Sequence, residues 1–540
     1  MRWWGWGDDA HGGGLPDSAD GFLRDEIGAE PGELDPHVPL EDVRLPEPAL
    51  EARIRDALAA VLGEAGLTEE HAARVQHAAG RSYPDLIRLR SGAGLGGPDA
   101  VLLPRTSEQV RAVLEICARE GVAVVPFGGG SSVVGGVEPL RGGFGAVVSL
   151  DLGGLDRVLD VDRRSLTATL EGGLFGPAAE ARLAEHGLTL GHFPQSFEYS
   201  TVGGWVATRS AGQASTGYGR IDDLVEGVTL VAPAGDLTTL AVPATAAGPA
   251  LREVAVGSEG VLGVITSATL RVRPAPARRR YEGWSFHDFE EGVEAFRVME
   301  PADASPDVAR LSDVAETRMS LALASTGSRT ERLGRAYLRA RGHEGGCLAI
   351  IGLDGDPDDV ERRRVRTAAL LRAGGGLSLG ARPGEAWLRG RFAAPYLRDH
   401  LLDRRVMVET LETATTWSNV ERLYAAVGDA LRDSLAARGT PPLVMCHVSH
   451  LYRSGASLYF TFLARQETGE PLEQWRAAKS AACDAIVANG GTITHHHAIG
   501  RDHAPWLLAE AGDLGIELLR SAKRALDPAG IMNPGKLLPG

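Results

Sequence analysis

Between Val122 and Gly136 the chain reads VAVVPFGGGSSVVGG. An apolar run without a polar break, ended by turn residues, predicts a strand buried on both faces, with structure packed above and below it. The glycines that follow allow a closer backbone approach than any side chain permits. Successive N–H groups in such a loop form an anion-binding concavity, to which Ser131 and Ser132 add hydroxyl donors. The loop is not a Walker sequence, because G-K-[ST] is absent. It is not a G-x-G-x-x-G fingerprint either, because Val133 stands where the third glycine belongs. Two readings stay open at this level: a phosphate cradle, or a tight turn that needs glycine for its own geometry.

The neighbouring segments alternate between strand and helix. DAVLLP (99–104) reads as a short strand. Thr106 opens a helix with Gln109 as its capping-box partner, and Val110, Val113, Leu114 and Cys117 share one face. AVVSLDL and LTATLEGG read as further strands, and FGPAAEARLAEHG as a helix stopped by Gly187. The alternation implies an α/β or α+β unit over residues 99–275. Ahead of it, residues 1–98 hold a Gly- and Pro-rich arm with Trp3, Trp4 and Trp6, followed by helical spacing over 48–80. A second unit spans 276–505 and opens with the basic run Arg278 to Arg280. It has the strands CLAIIGLDG, MCHVSHLY and SLYFTFLA and the helices DPDDVERRRVRTAALLRAGG and NVERLYAAVGDALRDSLAARG. The segment 506–540 is expected to return and pack on the first unit.

Charge and cysteines exclude several functions. At a formal net charge of −15 the chain is a poor general binder of nucleic acid or anionic membrane, so an anionic substrate needs a local cluster of Arg, Lys or His. Cys117, Cys347, Cys446 and Cys483 form no C-x-x-C pair, which fits a reducing compartment. No apolar run is long enough for a membrane span, and MRWWGWGDDAHGGG lacks the apolar core of a signal peptide. The Ala, Arg and Gly bias suggests a GC-rich bacterial source, and a cytoplasmic location is expected.

GGTITHHHAIG (490–500) places three histidines in succession. On an extended segment His495, His496 and His497 alternate between faces, so at most two share a target and a three-histidine metal site is not expected. Donating to an anion or moving a proton near neutral pH suits one or two of them.

PQSFEYSTVGGWVATRSAG (194–212) and GSEGVLGVIT (257–266) complete a set with the glycine loop. In this order and spacing the three resemble the flavin-binding domain of the vanillyl-alcohol oxidase type of flavoproteins. The resemblance implies an α+β fold: an FAD-binding domain (99–275), an α+β substrate or cap domain, and a helical N-terminal segment. It implies that Pro126, Phe127, Gly128, Gly129, Gly130, Ser131 and Ser132 hold the diphosphate. Gln195, Ser196, Phe197, Glu198, Tyr199, Ser200 and Thr201, with Thr208, Arg209, Ser210 and Ala211, would wrap the flavin. Glu259, Gly260, Val261, Leu262, Gly263, Val264 and Ile265 would lie nearest its isoalloxazine and adenosine. Many members tether FAD through a histidine in the loop. GGGSS has none, so non-covalent FAD is expected.

Within that superfamily RWWGWGDD (2–9), RLSD (310–313), YLRDHLLDRRVMVETLETATTW (396–417), SLYFTF (457–462) and ANGGTITHHH (488–497) resemble the alkyldihydroxyacetonephosphate synthases. That resemblance implies exchange of the acyl group of acyl-dihydroxyacetone phosphate for a long-chain alcohol, with the flavin undergoing no net redox change. Tyr459 and His495 to His497 would move protons, and Arg398 with Arg310 would bind the phosphate, without a metal. A homodimer with peripheral membrane contact is expected. One stretch departs from the family pattern: VPATAAGPAL (242–251) has Ala244 and Ala250 where Arg and Asp are expected, which bears on the substrate. The alternative is an FAD-dependent oxidase or dehydrogenase of a 2-hydroxy acid or alcohol, with His447, His450 and His503 as metal ligands.

Overall fold

The computed structural model describes residues 1–8, 14–16, 18–30, 34–302, 304–324 and 328–539. Asp9, the last residue of RWWGWGDD, lies outside them. VAVVPF is the strand Val122–Phe127, fully buried from Val122 to Val125. It pairs in parallel with Ala146–Asp151, which pairs in parallel with Ala100–Leu102. The helix Ser107–Glu120 connects Ala100–Leu102 to Val122–Phe127 on the two sides of that middle strand, burying Val110, Val113, Leu114 and Cys117 against the sheet. Thr106 caps that helix by accepting from the Gln109 N–H. The expected box is only half made, because Gln109 Oε1 accepts from the N–H of Arg105 rather than of Thr106. The free edge of Val122–Phe127 is covered by the C-terminal segment. Val124 donates to the Ile531 carbonyl at 2.9 Å and accepts from the Asn533 N–H at 2.8 Å.

A second, antiparallel sheet has the order Val158–Asp162, Thr167–Glu171, Val264–Arg271, Val225–Ala232, Gly235–Thr238. The third is the platform of the site. Its seven antiparallel strands run in the order Leu377–Gly380, Arg278–Phe286, Cys347–Gly355, Val308–Ser312, Leu443–Leu451, Gly455–Arg465, Val406–Thr416. Arg278 to Arg280, read from the sequence as a junction, are the first residues of a strand in this sheet.

Two long helices, Val420–Ala437 and Pro471–Ala488, cover one face of the platform. Leu458, Phe460 and Phe462 share a core there with Leu423, Val427, Leu431, Ala478, Ala482 and Ile486. Strand alternation then turns Tyr459 to the opposite face. The register sets Tyr459 beside His447 on one neighbouring strand and beside Glu412 on the other. The architecture is α+β.

Candidate active site

The glycine loop is shaped by protein as much as by any ligand. A Cβ on Gly128 would lie 2.4 Å from Thr201 Oγ1, and one on Gly129 would lie 1.7 Å from the Tyr199 carbonyl oxygen. Glycine at 129 therefore admits the backbone of the 195–201 segment. The loop's shape is fixed by one bond from outside and one within it. The Ser132 carbonyl accepts from the Arg81 N–H at 2.6 Å, and Ser132 Oγ accepts from the N–H of Gly136 at 2.9 Å. Among the described residues the backbone N–H groups of Gly129 to Ser132 have no acceptor in the protein. Consecutive unsatisfied amides at the end of a strand are the donor set a diphosphate requires, so these residues fit FAD.

The segments 194–212 and 257–266 use many of their side chains on the protein. Thr201 caps the helix Val202–Thr208, and Ser200 Oγ accepts from the Trp205 indole at 2.7 Å. Thr208 Oγ1 donates to the Gly204 carbonyl. Arg209, at φ +52°, pairs with Asp222 and Glu253 at 3.0 and 3.1 Å. Ser210 meets His192 Nε2 at 2.7 Å, while Ala211 is buried. Gln195 donates to the Arg391 carbonyl, and Glu198 accepts from the Tyr396 hydroxyl. Ser196 precedes a single turn, Phe197–Tyr199; Phe197 stacks on Phe392 and Tyr199 meets the edge of Trp6. In the third segment Val261, Leu262, Val264 and Ile265 are buried. Gly260, at φ +73°, lies against Pro126, and Gly263 closes on the Val231 carbonyl. Glu259, at φ +51°, accepts from the N–H groups of Ile499 and Gly500 at 2.8 and 2.6 Å. Its carboxylate grips the far end of the histidine loop, and burial pushes its pKa up to about 7.

The near end of that loop is held by Glu412. The segment is not extended, so the expected alternation of faces does not apply; it curls around one buried carboxylate. Glu412 Oε1 accepts from the N–H of His497 at 2.6 Å, from the N–H of His496, and from Thr494 Oγ1 at 3.3 Å. Glu412 Oε2 faces His495 Nδ1 at 3.2 Å and His496 Nδ1. Burial alone would raise this carboxyl, but the imidazoles of His496 and His497 and the loop's hydrogen bonds hold it well below the usual carboxylate range. Burial pushes His495 down, and His497 down to about 3.

Tyr459 lies under this loop. Its ring stacks on His447 at 4.8 Å and stands 6.2 and 5.5 Å from His496 and His497. Burial pushes its phenol up to about 12, so it is a neutral donor at ordinary pH. Arg398 Nη1 donates to the Arg81 carbonyl at 2.8 Å, and its buried Nε has no partner among the described residues. The N-terminal arm backs this arrangement. The Arg81 guanidinium donates to the carbonyls of Gly5 and Arg2, and Asp399, beside Arg398, accepts from the Trp6 N–H at 2.7 Å. Arg310 is placed differently: Nη2 pairs with Glu316 Oε1 at 2.7 Å and Nη1 lies 2.9 Å from His447 Nε2. Its guanidinium braces the sheet beside Tyr459. The stretch 242–251, with Ala244 and Ala250, is almost wholly exposed on the surface.

His447, His450 and His503 do not form a ligand set. His447 belongs to the Glu316–Arg310 pair, His450 Nε2 binds the Gly212 carbonyl, and His503 Nδ1 binds the Ala498 carbonyl. Among the described residues the group whose ligand atoms lie within 4.8 Å of one another is Glu412, His496 and His497. Both oxygens of that carboxylate already face donors from the loop. Glu412, Glu316 and Tyr452 were not singled out in the sequence. The signal for the first was its place in an alternating strand, two residues from Thr410 and Ala414 on a face with no other charge.

The chain matches known families over most of its length. Residues 98–241 match the FAD binding domain family, and residues 275–537 match the C-terminal domain of FAD linked oxidases. An alkyldihydroxyacetonephosphate synthase of Dictyostelium discoideum is 33% identical over 534 residues, covering 96% of this chain and 87% of that protein. A solved alkyldihydroxyacetonephosphate synthase superposes with a TM-score of 0.87 at 31% identity, covering 99% of each chain. Substrate-bound p-cresol methylhydroxylase superposes with a TM-score of 0.65 at 16% identity, covering 90% of this chain and 96% of that one, which is a likeness of fold.

Proposed function

The chain belongs to the alkyldihydroxyacetonephosphate synthase family of FAD-dependent enzymes, and from that premise we propose that it replaces the acyl group of acyl-dihydroxyacetone phosphate with a long-chain alcohol, a step of ether-lipid synthesis. The observation that carries the reading is the convergence of Tyr459, the histidine loop and Glu412 on one face of the platform sheet. FAD, held at Gly129 to Ser132, supplies when bound the N5 chemistry through which carboxylate and alcohol change places. The protein's own groups bind, orient and move protons. Arg398, with a buried and unpartnered Nε, receives the substrate phosphate; a guanidinium fork suits that oxyanion. Tyr459 and the imidazoles transfer protons at the reacting carbon and at the incoming hydroxyl.

FAD is held non-covalently in this reading. The glycine loop has no histidine, and both nitrogens of His77, whose ring packs on Phe127, are engaged by Asp151 and the Ala73 carbonyl. We also read the enzyme as a cytoplasmic bacterial homodimer that meets its two lipid-like substrates at a membrane surface. No described helix is long and apolar enough to cross one.

The test is incubation of FAD-loaded protein with acyl-dihydroxyacetone phosphate and labelled hexadecanol. Alkyl-dihydroxyacetone phosphate and free fatty acid should form in equal amounts. Bleaching of the flavin by a 2-hydroxy acid, with no exchange, would replace this reading by an oxidoreductase.

A further inference from the structure

The three histidines of the loop are not equivalent. His495 has both ring nitrogens engaged: Nδ1 faces Glu412 Oε2 at 3.2 Å and Nε2 meets the Tyr452 hydroxyl at 2.5 Å. It is also buried. His497 has a buried Nδ1 without a partner among the described residues, and its backbone N–H is held by Glu412. His496 differs from both. Its Nδ1 lies on Glu412 Oε2, its ring is half-buried over Tyr459, and its Nε2 has no protein partner among the described residues.

An ionised carboxylate only accepts hydrogen bonds, so a nitrogen resting on it carries the proton. The bond at one imidazole nitrogen fixes the tautomer and leaves the other nitrogen as acceptor. Glu412 is buried, so its charge persists only where donors surround it, and the loop provides them from two backbone N–H groups and the Thr494 hydroxyl.

We propose that Glu412 and His496 form a carboxylate–imidazole dyad: Glu412 is the positioning residue that holds the Nδ1–H tautomer of His496, and His496 Nε2 is the atom that exchanges protons with the substrate, while His495 anchors the loop. This rests on the reading of the site as a proton-transferring one. Nε2 takes a proton from the substrate side, and the positive charge forms next to a carboxylate fixed beforehand. The same proton is later returned, so the dyad is unchanged over a cycle.

The test uses FAD-loaded full-length protein labelled with 15N-histidine, first without substrate. Long-range proton–nitrogen correlation should show His496 with a protonated Nδ1 and an unprotonated Nε2, and Glu412→Gln should remove that preference. In turnover, Glu412→Gln should lower kcat by about 10- to 100-fold, the range for removing a carboxylate that orients a histidine, with KM changed far less, and Glu412→Asp should recover part of it. His496→Asn should cost more than His495→Asn, and adding Glu412→Gln to His496→Asn should cost little more. A wild-type His496 protonated at Nε2 instead would overturn the dyad even if no variant folds. So would a His495→Asn protein that keeps its flavin and loses as much kcat as His496→Asn. The tautomer readout needs no substrate, so failure of the exchange assay with an intact Nδ1–H signature would count against the proposed reaction and leave the dyad standing.

Discussion

Glu412 and Tyr459 are directly opposed on neighbouring antiparallel strands, and Tyr459 is opposed on its other side by His447. Cross-strand partners project to the same face. The row therefore delivers a carboxylate, a phenol and an imidazole to one surface, and the histidine loop folds down onto it through Glu412.

Replacing Gly129 with Ala should destabilise the protein before any flavin is considered. The added methyl would stand 1.7 Å from the Tyr199 carbonyl oxygen, which is backbone and must move as a whole. The cost should be about 1–3 kcal/mol, the usual range for overpacking. Thermal melting of the flavin-free variant measures it, and FAD content should fall in parallel. A flavin-free Gly129→Ala protein that melts like the wild type would show that the two segments do not need this approach.

Arg398→Lys should raise KM for the phosphorylated substrate and leave FAD content unchanged. A lysine cannot donate to the Arg81 carbonyl and present a second donor in the same plane. The loss of one charge-assisted contact corresponds to roughly 1.5–3 kcal/mol, or about 10- to 150-fold. Arg310→Lys should act otherwise, lowering stability through Glu316 and His447 with a smaller effect on KM. Steady-state kinetics beside melting curves separate the two, and equal KM effects would place Arg310 at the phosphate as well.

Tyr459→Phe should retain fold and flavin, because the ring keeps its stack on His447. The chemical step should slow by about 10²–10⁴, the range for a general acid or base. Single-turnover rates at saturating substrate give the number. Full turnover by the phenylalanine variant would remove the hydroxyl from the reaction.

The Glu316 site should make the cap sheet acid-labile. Burial alone would raise this carboxyl, but the Arg310 guanidinium and His447 hold it well below the usual range. A depressed native pKa contributes stability that is fully present above the unfolded value, about 4.3, and is lost as pH falls below it. Melting temperature should drop between pH 5 and pH 3 more steeply in the wild type than in Glu316→Gln. At pH 7 the variant should be the less stable of the two. Parallel curves would show that the pair adds nothing to stability.

Much of the cofactor half was legible in the sequence because local patterns specify it. A strand that must be buried on both faces reads as an unbroken apolar run, and a backbone that must admit another backbone reads as glycine. Thr106 and Gln109 announced a helix start, and the structure moved only the second bond, from Thr106 to Arg105. The histidine triplet pointed to proton chemistry by residue type alone. Its geometry was misjudged, because an extended segment was assumed where the chain curls around a carboxylate 83 residues away from His495.

The sequence by itself determined the elements and the residue types: which runs are strands, where glycine is required, and that three imidazoles, a tyrosine and arginines were present to serve. Periodicity carries that information because it acts within a few residues. Tertiary structure alone decided the assignments among them. The register of three strands brought Glu412, Tyr459 and His447 into one row. Folding of the loop gave His495 two partners and left His496 Nε2 open. Packing turned Arg310 onto Glu316 and left Arg398 Nε free. Each of these is a contact between residues far apart in the chain, and a pairing of that kind is fixed by packing and hydrogen-bond geometry, on which a single sequence carries no local mark.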